Sequence, residues 1–181
     1  MVKTTVINLL GAGAVGKSTT AAGIFYRLKQ FHNVHCELIQ EYVKTWAWQG
    51  KRPSKFDQLY LLGKQSQTES RLYGKVDYII TDSPIILSPF YEEMIQGVKI
   101  SLPAAKRFLS VAKESGIKHL YFFLERKTPY DSRGRYGQSK SNDVLQKRLP
   151  KFLKRNGIKF DYVKVPEKKR VDYILKKLKF S

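Results

Sequence analysis

Apolar residues fall into short, β-branched runs that alternate with stretches of helical spacing. "KTTVINLL" (3–10) breaks at Gly11, and "KSTTAAGIFYRLKQF" (17–31) sets Ala21, Ile24, Phe25 and Leu28 at the helical period. Strand, glycine loop and helix therefore open the chain. "NVHCELIQEY" (33–42) alternates at Val34, Cys36 and Leu38 and predicts a second strand. "SKFDQLYLLGKQSQTESRLY" (54–73) predicts a long helix with a Ser54 cap and Asp57 in its first turn. "VDYIITDSPIIL" (76–87) is a third strand running into an acidic turn. Residues 89–115 read as helical with a break near Gly97 and Pro103, and "HLYFFLE" (119–125) as a fourth strand. "NDVLQKRLPKFLKRNG" (142–157) predicts a basic helix and "KFDYVKV" (159–165) a fifth strand. "EKKRVDYILKKLKF" (167–180) predicts a closing helix with Val171, Ile174, Leu175 and Leu178 inward. Apolar strands alternating with helices imply an α/β fold, a parallel sheet covered on both faces, built as a single domain over 1–181. The stretch 126–141, "RKTPYDSRGRYGQSKS", has no apolar period and reads as a mobile lid rather than a domain boundary.

Composition narrows the class. The 181 residues are 42% hydrophobic, enough for a real core, and contain no apolar run of membrane-spanning length and no secretory signal pattern, which suggests a cytoplasmic protein. A lone Cys36 excludes an internal disulfide, and three scattered histidines give no metal-ligand spacing. The charge is far from ordinary: +19 in total, from 34 basic and 15 acidic residues. Residues 1–100 carry 12 basic and 8 acidic side chains, residues 101–181 carry 22 and 7, so the excess lies in the second half. Such asymmetry points to a polyanionic partner, DNA foremost, because lysines and arginines that neutralise phosphates release counterions and gain affinity regardless of sequence.

The chemistry starts at Gly11-Ala12-Gly13-Ala14-Val15-Gly16-Lys17-Ser18, which satisfies G-x-x-x-x-G-K-[ST] between a strand and a helix. Glycines let the backbone wrap a phosphate chain with its N–H groups inward, and the helix N-terminus adds its positive end. ATP is the expected donor: residues 11–18 with Thr19 form its cradle, Lys17 reaches the β and γ phosphates, and Ser18 takes Mg²⁺. Asp82 ends "YIITD", where a parallel sheet presents its ligand edge, and suits a magnesium or acceptor-orienting carboxylate.

Glu41, after the second strand, bears on the acceptor. A phosphate acceptor is already ionised, whereas an alcohol must lose a proton, and a carboxylate at the sheet edge would take it. Glu41 and Asp82 are rival candidates for that base. Arg133 and Arg135 in "DSRGRYG" have the glycine-flanked surroundings of lid arginines that close on transferring oxygens. Tyr42, Trp46 and Gln65 are candidate contacts to a substrate base, with core packing the ordinary alternative for one of Trp46 and Trp48.

With the P-loop, "QEYVKTWA", "TDSP" and "DSRGRYGQ" in this order, the chain resembles the small P-loop kinases related to deoxynucleoside kinases and to the ribosylnicotinamide kinase domain. The resemblance implies a five-stranded sheet of order 2-3-1-4-5, Glu41 as base, and Arg133 and Arg135 on the ATP phosphates. Asp82-Ser83-Pro84 stands where deoxynucleoside kinases commonly carry Glu-Arg-Ser, a departure that bears on the acceptor. Phage kinases of 5-hydroxymethyluracil in DNA share this general plan, and a basic half suits an enzyme whose acceptor base is held in a polymer. The leading expectation is thus an ATP-dependent kinase acting on a hydroxymethyl pyrimidine in DNA, in the cytoplasm of a phage-infected cell. A kinase of a free nucleoside, nucleotide or nicotinamide riboside is the alternative, and a nucleic-acid-binding NTPase a third.

Overall fold

The computed structural model describes residues 3–54, 56–125 and 139–180, with backbone alone for 95–96 and 139–142. Its centre is a five-stranded parallel sheet of order β2-β3-β1-β4-β5, as the resemblance implied. The strands are β1 (Thr5–Leu10), β2 (Cys36–Ile39), β3 (Tyr78–Thr81), β4 (Lys118–Leu124) and β5 (Asp161–Val163). Ile7 lies beside Ile80 of β3 and Leu120 of β4, so the opening apolar run occupies the middle of the sheet.

The helices are α1 (Lys17–Phe31), α2 (Val43–Trp48), α3 (Asp57–Ser70), α4 (Leu87–Tyr91), α5 (Ser101–Glu114), α6 (Ser139–Arg155) and α7 (Arg170–Lys177). A π-helical turn, Glu92–Gln96, extends α4, and a 3₁₀ turn, Glu167–Lys169, precedes α7. On one face of the sheet α1 and α7 close a core of Ile7, Leu9, Ile24, Leu28, Leu124 and Ile174. On the other, α4 and α6 meet Leu10, Phe123, Leu149 and Leu153. Cys36 is fully buried, as its strand position implied, and burial pushes its thiol pKa up.

Several boundaries differ from the sequence reading, for physical reasons. The helix expected from Ser54 begins at Asp57, whose carboxylate accepts a hydrogen bond from the Ser54 N–H; the acidic side chain reaches back instead of a serine capping forward. Pro103 does not break a helix. It sits in the first turn of α5, where its missing N–H costs nothing. Glu92 organises that start: its Oε2 accepts from Ser101 N–H at 2.8 Å and Ser101 Oγ at 2.7 Å. The short α2 had no apolar stripe to betray it, and none of its residues is buried.

Candidate active site

The strand order sets three chain segments side by side on one edge of the sheet. The P-loop leaves β1 at Leu10, Asp82 follows β3 on the adjacent strand, and Glu41 follows β2 one strand further out. In a parallel sheet this is the carboxyl edge, where open α/β folds bind ligands.

Two glycines of the motif are required by space. Gly11 has φ 146°, and a Cβ there would lie 2.9 Å from the Leu124 carbonyl oxygen; Gly16, the N-cap of α1, has φ 84°, and a Cβ there would lie 3.2 Å from Arg170 Nη1. Ala14 also holds positive φ, 61°, at a cost of about 1 kcal/mol that such loops bear to aim successive N–H groups into one concavity. Lys17 Nζ donates to the carbonyls of Gly11 and Ala12, each at 3.1 Å, which folds the ammonium back over the loop. Ser18 and Thr19 are exposed at the start of α1.

Two side chains from distant helices strap this loop to the end of β4. Gln146 of α6 accepts from Ala12 N–H at 3.4 Å and donates to the Leu124 carbonyl at 3.4 Å. Arg170, at the head of α7, is fully buried; it donates through Nη1 to the Val15 carbonyl and through Nη2 to the Glu125 carbonyl at 2.7 Å. Burial lowers the Arg170 pKa, opposed by Glu167, whose Oε1 lies 3.5 Å away. Neither residue was singled out from the sequence. The available signal was position: Arg170 stands four residues before Ile174, on the inward stripe of α7.

Asp82 is buried, and its Oδ1 has no hydrogen-bond partner among the described residues. A buried carboxylate oxygen left open beside a P-loop fits a magnesium ion, which takes one or two carboxylates plus phosphate oxygens rather than a full protein cage. Ser18 Oγ and Asp82 are the residues that could hold it, and the described residues contain no cluster of three or more His, Cys, Asp or Glu.

Glu41 is half-buried and faces α4. The Tyr91 hydroxyl is pushed above its ordinary pKa, first by burial and then by the charge of Glu41. Tyr42 and Trp46 form an aromatic cluster with Tyr60: Trp46 stacks on Tyr60 with centroids 6.1 Å apart, and the Tyr42 and Tyr60 hydroxyls hydrogen-bond at 3.1 Å. Trp46 is half-buried and Trp48 exposed, so neither belongs to the core. Gln65 is buried and donates to Thr81 Oγ1 at 3.3 Å, next to Asp82. Its amide nitrogen serves the end of β3. Arg133 and Arg135, with most of the stretch 126–141 expected to form a lid, lie outside the described residues.

This architecture matches P-loop kinase structures in fold, with the glycine-rich loop after the central strand, Asp82 after the adjacent strand and Glu41 after the strand beyond it. Among solved structures, the chain is similar to deoxyadenosine kinase from M. mycoides with bound dATP (TM-score 0.64, 19% identity, 96% of this chain and 98% of that one). It is similar to thymidylate kinase from Ehrlichia chaffeensis (TM-score 0.65, 12% identity, 97% and 98%). It also matches NadR protein in complex with NR (TM-score 0.73, 13% identity, 97% of this chain and 51% of that one). At these identities the likeness shows the fold. No protein-family model matches the chain, and no curated protein does. Among the described residues, no helix is long and apolar enough to cross a membrane.

Proposed function

We propose that the protein is an ATP-dependent kinase that transfers the γ-phosphoryl group to a hydroxyl of a nucleoside- or nucleotide-type acceptor. The observation that carries this reading is the pair of carboxylates beside the P-loop: Asp82, with its open buried oxygen, and Glu41 one strand beyond. The named kinases that share the fold support it.

The chain's residues divide the work. Lys17 and the loop N–H groups hold the phosphate chain, and Arg170 and Gln146 keep the loop in register with β4. Glu41 accepts the hydroxyl proton as the acceptor oxygen bonds to the γ-phosphorus; the bond from that phosphorus to the β–γ bridging oxygen breaks, and its electron pair leaves with ADP. Ser18 and Asp82 would hold a magnesium ion, which when bound would supply positive charge to the phosphate oxygens.

A second reading places the hydroxyl on a 5-hydroxymethyl pyrimidine within DNA. The +19 charge favours it, since a free nucleoside calls for no such excess. Incubation with γ-labelled ATP and a panel of nucleosides, mononucleotides and DNA containing 5-hydroxymethyluracil separates the two. Label in the free compounds alone selects the first, and label in polymer alone the second; no labelled product from any hydroxyl acceptor overturns both. Glu41→Gln is expected to cut kcat by about 100-fold with KM for ATP unchanged, and near-normal turnover would remove Glu41 as base.

A further inference from the structure

The groove between α6 and the α4–π-turn segment is not part of the transfer site. It encloses about 280 Å³ and is lined by Phe90, Glu93, Met94, Arg148, Lys151, Phe152 and Arg155. At 100° per residue, Arg148, Lys151 and Arg155 lie roughly 140–200° around α6 from Gln146, the residue that touches the P-loop. The groove therefore occupies the outer flank of the helix, beginning within a turn of the catalytic edge.

We propose that this groove and the cationic face of α6 bind the phosphodiester backbone of a DNA strand. The inference rests on the second reading above, that the acceptor hydroxyl is carried on DNA. The lining has three cations against one carboxylate, and that carboxylate is committed: Glu93 accepts from Arg155 Nη2 at 2.6 and 2.7 Å, and Lys99 Nζ lies 3.9 Å from its Oε2. Arg148 and Lys151 are exposed and have no ion-pair or hydrogen-bond partner among the described residues. Phe90 and Phe152 meet edge to face beneath them, 5.4 Å between centroids, and close the floor of the groove.

Size and surroundings choose the occupant. The volume is just below the ~300 Å³ at which pockets for whole organic ligands begin, which suits a phosphate with its sugar rather than an enclosed metabolite. Lys147 and Lys154 continue the cationic face, and from residue 143 to 164 there are seven cations against two carboxylates. A membrane surface fits less well, because the apolar side chains Leu145, Leu149, Phe152 and Leu153 of α6 are buried and leave nothing to insert among lipids.

The test is fluorescence anisotropy of a labelled 20-mer, single-stranded and duplex, titrated without ATP from 50 to 200 mM salt. Arg148→Glu with Lys151→Glu is expected to weaken binding at least 10-fold and to flatten log K against log salt by about 1.4 for single strands or 1.8 for duplex, as loss of two phosphate contacts requires. Glu93→Gln, which frees Arg155, is expected to tighten binding about 2- to 5-fold, a gain that misfolding cannot imitate. Lys176→Glu, on α7 across the sheet, should change affinity less than about 2-fold. Absence of DNA binding, or an unchanged salt slope in the double reversal, overturns the inference. So does a double reversal that dissolves a dimer, by sedimentation, while DNA binding stays intact. Since no step uses ATP, these outcomes are separate from success or failure of phosphoryl transfer to the acceptor panel.

Discussion

The two faces of the sheet are built on different principles. The face under α1 and α7 is an apolar slab, and the charged side chain that enters it, Arg170, is tied to two backbone carbonyls. The face under α3, α4 and α5 buries Asn8, Gln65, Glu69, Thr81 and Glu92, with the half-buried His119 beside Glu69. The first anchors the helix that carries the P-loop; the second backs Asp82 and the segments near Glu41. The first face is thus held by burial that is indifferent to pH, while the second is held in part by ionisable groups whose worth changes with protonation.

The largest expected effect lies at the head of α1. Lys17→Ala removes the ammonium that the proposed function assigns to the β and γ phosphates and should reduce transfer to every acceptor by about 1,000-fold or more, an effect of the scale seen when a transition-state donor is lost. Unfolding free energy should move little, because Lys17 packs in no core. Retained turnover would show that the loop is not the donor site and would end the division of labour drawn above.

Arg170→Met tests the same face at the next level. It leaves the Val15 and Glu125 carbonyls without their guanidinium, at about 1–3 kcal/mol for each buried unmet group. Expected are a lower urea midpoint and a kcat reduced about 10-fold or more, with acceptor KM unchanged. Arg170→Lys, which reaches one carbonyl, should restore part of kcat. Equal stability loss with normal kcat in Met and Lys variants would make Arg170 structural only, not a positioning residue.

What the sequence made legible follows the same divide. The P-loop is a local device: eight consecutive residues specify its turns, its donors and its cation, and its strand and helix are marked by period. Arg170 acts on Val15 across 155 positions, so nothing around either residue announces the contact. Asp82 was readable as the end of an apolar run, but its open oxygen depends on what α3 and α4 pack around it. Gln65 is a candidate base contact from type alone, and the fold adds that its amide nitrogen donates to Thr81 Oγ1. The helix α2 escaped because it buries nothing, and periodicity reports burial.

The smallest of these effects isolates the second face. Glu69 is fully buried; its Oε1 accepts the Tyr73 hydroxyl and lies 3.6 Å from His119 Nε2, while Oε2 has no partner among the described residues. Burial raises its pKa from 4.5 to about 7 and lowers that of His119 from 6.5 to about 4, so both groups are driven toward neutrality. Below pH 4.5 the folded and unfolded chains both hold the Glu69 proton, and the residue adds no pH-dependent cost. As pH rises from 4.5 to 7 the unfolded chain ionises first, and stability falls until the native carboxyl follows; the full cost, above pH 7, is on the order of 3 kcal/mol. His119 works oppositely, losing stability as pH falls from 6.5 through 4. Glu69→Gln keeps the shape and cannot ionise. Urea unfolding of both proteins at pH 4, 6 and 8 should therefore show the variant gaining on wild type by roughly 3 kcal/mol between the extremes, with His119 cancelling because both chains carry it. A stability difference that stays constant across this range would mean that Glu69 ionises freely in the folded chain, and the contrast between an indifferent face and a titrating one would fail at its centre.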